Sequence, residues 1–425
     1  MDKVGIGLLG YGTVGSGVGK LLTRNADDIT LATGKQVYLR RVLERDAGFS
    51  APGLDSSLVT TRFEDILEDP GIDIVVELIG GVGAARDFQL RALKAGKNVV
   101  TANKQLLAQH GAELFDAAES TNVHLRFEAS AVGAVPVIKV LRESLVAAEV
   151  KTVFGIVNGT TNYMLSAMAE TAADYEDVLA EAQRLGYAEA DPTEDVGGKD
   201  AAAKMAILSS IAFHSRTGLD DVEYEGITKV TAADIAQGTR LGLVAKLLGV
   251  AKLIDGRMNV RVYPAFLPRT HPLAGVTGAY NAVFLESDAF DRIMLFGPGA
   301  GSVPTASAVI GDIISVVNTV KGSFVQNCLC YKQVPAFPDA DMVSSFYLRL
   351  RVKDEPGVLA GIAALFGEHD VSIASLVQEG RGDAAELVLL LHPVREAQFF
   401  AALDQIEALP AVQGDPAVIR VEGDA

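Results

Sequence analysis

The chain opens on an apolar run, Val4 to Leu9, that passes directly into Gly10-Tyr-Gly12-Thr-Val-Gly15 and then into a helical pattern from Val14 to about Thr23. A short apolar run bounded by turn residues reads as a buried strand. Glycines spaced in this way between a strand and a helix meet three steric demands: a tight turn, close approach of backbone to a pyrophosphate, and close packing of helix on strand. Phosphate would sit on the helix N-terminus, where amide hydrogens and the helix dipole favour an anion. The start therefore commits the chain to a parallel sheet, and Gly10, Gly12, Thr13, Val14 and Gly15 become dinucleotide-binding candidates. The plainer reading of the same residues is a tight strand-to-helix turn.

Further strands follow at Val37 to Leu43, Ile72 to Leu78, Asn98 to Thr101 and Val123 to Phe127, separated by helical patterns such as Ala84 to Ala95 and Lys104 to Ser120. This alternation implies an α/β, doubly wound, Rossmann-like domain, whose ligands lie at the carboxyl ends of the strands. Lys104 occupies such a position, after Thr101-Ala-Asn. A cation in the first turn of a helix works against the helix dipole, which favours a functional reason over a solvated surface lysine. Glu44 and Arg45 are adjacent at the end of the second strand. An acid there would bond a ribose 2′-hydroxyl and an arginine would hold a 2′-phosphate, so NAD and NADP both stay open, with Arg45 kept as a cofactor-binding candidate.

From about residue 131 the pattern changes to longer helices, Ala173 to Leu185 and Asp200 to His214, mixed with strands near 150–157, 258–265 and 279–285. This describes a separate α+β substrate domain. Its densest chemistry is Gly186 to Lys204, an acid-rich loop leading into a helix on which Asp200 and Lys204 stand four apart among Ala201, Ala202, Ala203, Met205, Ala206, Ile207 and Leu208. On an exposed helix such a pair is a surface bridge of about 0.2–0.5 kcal/mol. In apolar surroundings it is something else, because lysine is rarely buried unless paired, and a carboxylate that retunes a buried lysine suits it to proton transfer near neutrality. Asn158-Gly-Thr-Thr-Asn162 follows a strand and offers Asn158, Gly159 and Thr160 to a ligand, or simply caps a helix. Gly297 to Pro304 is a turn-rich loop opening a helix that runs to about Val320 and packs back on the first domain.

The last portion repeats a tighter cycle: strand Phe346 to Val352, helix Gly357 to Glu368, strands near 371–378 and 385–391, helix Glu396 to Ala408 and a strand near 417–421. That order is βαββαβ, a small ferredoxin-like module. The organisation expected is thus a dinucleotide-binding domain over 1–130, completed by a helix at about 303–325, a substrate domain over 131–302, a linker over 326–344 and the terminal module over 345–425.

Composition excludes several classes of function. A formal charge of −17 works against general binding to nucleic acid or anionic membranes. Uncharged apolar runs stop well short of the ~20 residues a membrane span needs, and the opening residues lack the pattern of a signal peptide, so a cytoplasmic protein is expected. Cys328 and Cys330 are too close for a comfortable bridge and have no second pair, so neither a disulfide framework nor structural zinc is expected. The six histidines show no ligand-like spacing.

Gly10 to Gly15, Thr101 to Lys104, Asn158 to Asn162, Gly186 to Lys204 and Gly297 to Pro304 occur in an order that resembles the homoserine dehydrogenases, over about residues 3 to 325. Val352-Lys-Asp354-Glu-Pro-Gly357-Val358-Leu359, leading into a helix, is similar to an ACT regulatory domain, as in the monofunctional bacterial form of that family. The resemblance implies reversible reduction of L-aspartate 4-semialdehyde to L-homoserine with NAD or NADP, a step toward threonine, methionine and isoleucine. It further implies that Lys204 is the leading proton donor and acceptor, that Lys104 assists it, and that Glu189 and Asp200 bind the substrate. A sodium ion held near Glu128, Ala131, Gly133 and Val135, mostly by backbone carbonyls, is also implied, in a segment less glycine-rich than is common in relatives. Asp354, Gly357, Val358 and Leu359 would bind an amino-acid effector, L-threonine, and the chain would form a homodimer or homotetramer. Two other readings are an aspartate-semialdehyde dehydrogenase, for which Cys328 and Cys330 lack a nucleophile context, and a non-catalytic sensor binding dinucleotide and amino acid through its end domains.

Overall fold

Four of the expected runs form the centre of a parallel sheet, and two of them, at 4–9 and 74–77, are buried on both faces. The strands are β1 (Lys3–Leu9), β2 (Gln36–Leu43), β3 (Val59–Thr60), β4 (Ile74–Glu77), β5 (Asn98–Thr101) and β6 (Leu125–Arg126). They lie in the order β3-β2-β1-β4-β5-β6, every pair parallel. This is the doubly wound arrangement, with the winding reversing between β1 and β4, where such sheets bind ligands. β3 was not expected, since two residues are too few to carry an alternation pattern, and β6 is shorter than the run from Val123 to Phe127.

The computed structural model describes residues 2–319, 330–382 and 385–423. Contacts group them into two units, the first of Met1–Val157, Ala202–Val222 and Asn281–Gln333, the second of Asn158–Ala201, Glu223–Tyr280 and Val334–Ala425. Within the first unit the helix Ser302–Val317 returns to the parallel sheet. Its Ala306, Val309, Ile310 and Ile313 share a core with Ile6, Leu8, Val18 and Val76. The same unit carries antiparallel strands Val150–Ile156, Tyr280–Ser287 and Asp291–Pro298. The last of these was not expected: only its end, Gly297 and Pro298, falls in the turn-rich loop read from the sequence, and its residues are half-buried or exposed although Ile293-Met-Leu-Phe296 is apolar.

The second unit contains a hairpin of two 12-residue strands, Leu243–Ile254 and Arg257–Pro268. They turn at Asp255 and Gly256, both at positive φ, the backbone that a two-residue hairpin turn demands. The terminal module is the expected βαββαβ fold. Its strands run in the order Val412–Val421, Val343–Val352, Ala385–Arg395, Ile373–Glu379, and its helices are Val358–Glu368 and Glu396–Glu407. Val412–Val421 also pairs parallel with the hairpin, Ala265 with Arg420 and Phe266 with Val421, so module and hairpin share one sheet.

A buried charge cluster fastens that junction. Both Glu396 oxygens accept from Arg261 Nη1 at 3.0 Å, Arg420 adds bonds of 2.9 and 2.8 Å, and Ser344 Oγ adds one of 2.7 Å. Burial pushes the Glu396 carboxyl up, but the hydrogen bonds and charges of Arg420 and Arg261 outweigh it and hold the group at about 2.

No helix among the described residues is long and apolar enough to cross a membrane. The expectation about the cysteines falls in part on Cys328, which lies outside the described residues.

Candidate active site

The glycine turn fits a dinucleotide. Gly10 has φ +90°, a conformation L side chains rarely adopt, and a Cβ on Gly15 would stand 2.1 Å from the Gly10 carbonyl oxygen. A Cβ on Gly12 would meet nothing within 4 Å, so the space in front of the turn is open to a ligand. Gly12 then caps the helix Thr13–Arg24, which begins with Thr13 and Val14 and presents its first amides there. Arg45 is exposed, one residue beyond the half-buried Glu44.

At the neighbouring strand ends a single carboxylate fixes two loops. Glu77 is fully buried. Its Oε1 accepts from the amides of Ile79 and Gly80 at 2.9 and 3.0 Å, and its Oε2 accepts from Gln89 Nε2 at 2.6 Å and Thr101 Oγ1 at 2.8 Å. The Thr101 hydroxyl oxygen in turn accepts from Asn103 N, and Asn103 Oδ1 accepts from Leu106 N, capping the helix Lys104–Ser120. Lys104 is thereby set as the first residue of that helix, half-buried, at the carboxyl end of β5.

Asp200 and Lys204 lie one turn apart on the helix Lys199–Ala212, and both are buried, at 4% and 9% exposure. In the first unit Lys204 Nζ donates to the Val157 carbonyl at 2.6 Å. In the second unit Asn158 Nδ2 donates to Asp195 Oδ1 at 2.7 Å and to Asp200 Oδ2 at 2.9 Å, while its Oδ1 accepts from Thr161 N and so caps the helix Gly159–Thr171. Thr160 Oγ1 donates to the Tyr187 carbonyl at 2.6 Å and to Asp195 Oδ2 at 3.2 Å. Asn158, Thr160 and Asp200 therefore gather around an acid that sequence reasoning did not single out, Asp195. Glu189 stands apart from this cluster on an exposed loop, where its carbonyl accepts from Gln183.

A second buried lysine was also missed. Lys246, 1% exposed, donates to Asn162 Oδ1 at 3.1 Å and to the Val276 carbonyl, and burial brings it down to about 8. The signal available was a lysine, one of two with Lys252, set in the otherwise apolar run Leu243–Ile254.

Around Glu128 both carboxylate oxygens accept backbone amides, Ile138 N and Lys139 N, each at 2.8 Å, and its own amide donates to the buried Asp312. Burial, with Asp312 beside it, pushes the Glu128 carboxyl up to about 8. In the turn that follows, Gly133 has φ +59°, and the Val135 carbonyl already accepts from Val137 N at 2.8 Å. In the terminal module Gly357, at φ +96°, caps the helix that begins with Val358. Leu359 is 39% exposed, and Asp354 Oδ1 accepts from Gln378 Nε2 at 3.0 Å.

A glycine turn on a doubly wound sheet, lysines at strand and helix positions suited to proton transfer, and a βαββαβ module define an NAD(P)-dependent oxidoreductase with an attached regulatory domain. Comparison with known proteins agrees with that class. A family model described as homoserine dehydrogenase, NAD binding domain matches residues 10–128, the homoserine dehydrogenase model matches 136–314, and an ACT domain model matches 346–411. Homoserine dehydrogenase of Corynebacterium glutamicum is 44% identical over 429 residues, covering 100% of this chain and 96% of that protein. A crystal structure of the enzyme from Thiobacillus denitrificans superposes with a TM-score of 0.94 at 41% identity, covering 99% of each chain. A hyperthermophilic archaeal homoserine dehydrogenase, solved in complex with NADPH, matches 74% of this chain and 97% of its own at a TM-score of 0.63 and 26% identity. The chain belongs to the homoserine dehydrogenase family.

Proposed function

We propose that this chain interconverts L-homoserine and L-aspartate 4-semialdehyde through Lys204 as the principal acid and base. The observation that carries the assignment is that Lys204 is buried, hydrogen-bonded to the Val157 carbonyl, and one helical turn from Asp200. A lysine held in place in this way can act as an acid and a base at a substrate oxygen. When bound, the nicotinamide cofactor supplies or accepts the hydride at the substrate's carbonyl carbon. During reduction Lys204 donates a proton to the developing alkoxide oxygen, and during oxidation it takes the proton back. Lys104 assists or positions it. Asp200 and Glu189, with Asn158, Gly159 and Thr160, bind the substrate's polar groups, Asp200 suiting the ammonium. Gly10, Gly12, Thr13, Val14, Gly15, Arg45 and Lys104 bind the dinucleotide.

L-Threonine is proposed as a feedback effector acting at Asp354, Gly357, Val358 and Leu359 across a paired module, in a cytoplasmic homodimer or homotetramer. The domain limits proposed are those read from the sequence: 1–130 with the helix near 303–325, 131–302, 326–344 and 345–425. A sodium ion at Glu128, Ala131, Gly133 and Val135 gains no support from the contacts. Both Glu128 oxygens face amide donors, and the Val135 carbonyl is already engaged. No step is drawn through it.

The test follows NADH and NADPH formation with L-homoserine, for wild type and Lys204→Ala. Removal of the acid/base lowers kcat by roughly 10²–10⁴-fold. Wild-type protein inactive with both cofactors would overturn the proposal, and a fully active Lys204→Ala would remove the role given to the lysine. Unchanged rates over a broad L-threonine titration would count against feedback.

A further inference from the structure

Glu44 follows Leu43, the last residue of β2, and the glycine turn holds it from two sides. The Leu43 carbonyl just before it accepts from Gly10 N at 3.0 Å, its own amide donates to the Thr60 carbonyl at 2.9 Å, and its Oε1 accepts from Tyr11 N at 2.5 Å. Tyr11 lies between the first two glycines, so the carboxylate is fastened at the mouth of the turn. Its second oxygen makes no other hydrogen bond among the described residues. The cations of the same strand are engaged elsewhere, Arg40 with Asp69 at 2.6 Å and Arg41 with the Arg40 carbonyl at 3.2 Å. Arg45, the residue that would favour a 2′-phosphate, is exposed and has no ion-pair partner among the described residues.

We propose that Glu44, not Arg45, sets the cofactor choice and makes this chain prefer NAD to NADP. The inference rests on the dinucleotide-dependent function proposed above. An acid at the end of the second strand of such a fold accepts hydrogen bonds from the adenosine ribose hydroxyls. The same negative charge repels a phosphate on the 2′-oxygen. Because a backbone amide pins one oxygen, the carboxylate stays in place when a 2′-phosphate approaches, and Arg45 has no comparable anchor.

The experiment is equilibrium binding of NADH and of NADPH to the full chain, read by calorimetry, with initial rates for both cofactors beside it. Wild type should bind NADH more tightly by about 10-fold or more, and Glu44→Ser should lower that ratio by roughly 10- to 100-fold, the range of a lost hydrogen bond to a charged group. Glu44→Gln keeps the size and removes the charge, so it should lower the ratio too, even if the serine variant fails to fold. Equal or tighter binding of NADPH by wild type overturns the inference. So does a ratio that neither variant changes, the result expected if Glu44 only holds the turn and both dinucleotides weaken together. Binding of neither dinucleotide would instead sink the underlying functional reading, and this inference with it.

Discussion

Glu77 in the first unit and Glu396 in the second are both buried carboxylates, yet the chain holds them in opposite ways. Glu77 takes four donors with no formal charge: two loop amides, a glutamine side chain and a threonine hydroxyl. Glu396 takes two guanidinium groups and one serine hydroxyl. Directional neutral bonds fix where two loops lie relative to each other, which is what a reacting site needs. Paired charges instead lock strands together, and they are costly to break because each partner left behind is a buried charge.

The widest break in that contrast should come from Glu396→Ala, which strands Arg261 and Arg420 and is expected to cost about 3–5 kcal/mol in urea unfolding. A loss below about 1 kcal/mol would mean that the cluster is no lock. Glu77→Ala should cost less, about 1–3 kcal/mol, because Ile79 and Gly80 are exposed and water can replace the lost acceptor. Its distinguishing mark is a raised KM for the cofactor, and an unchanged KM would sever Glu77 from the site.

Acid should test the Glu396 cluster directly. The folded-state value of Glu396 lies below its ordinary one, so its contribution is full above about pH 4.5 and is lost as pH falls toward about 2. Between pH 4.5 and 3, wild type should lose about 1.5 kcal/mol more stability than Glu396→Gln. Parallel acid curves for the two proteins would contradict the assignment. The smallest effect is expected from Asn103→Ala, which removes one helix cap for about 1 kcal/mol by thermal unfolding. A rescue of that loss by Asn103→Asp, another good capping residue, would show that capping is its cause.

The same contrast explains what the sequence could show. The glycine turn, the βαβ rhythm and the terminal βαββαβ order announce themselves through local periodicity, and those elements form near where they were expected. The hairpin strand Leu243–Ile254 was overlooked although Ile254-Asp-Gly-Arg257 carries a strong turn signal. Lys104, Asn158, Asp200 and Lys204 could be named because each sits at a recognisable strand end, cap or helix face. Glu77 could not, since its partners Gln89 and Thr101 stand 12 and 24 residues away and meet it only through the fold. Asp195 was one acid among several in a loop, and the bonds from Asn158 and Thr160 distinguish it.

The parallel pairing of Ala265 and Phe266 with Arg420 and Val421 bears on how such a chain can be shortened or recombined. The terminal module is no interchangeable cassette. Cutting it away would bare a strand edge on the hairpin and leave Arg261 without its Glu396 carboxylate. An exposed edge is a template for pairing with another chain, so the truncated protein should self-associate and precipitate where the intact one stays dispersed.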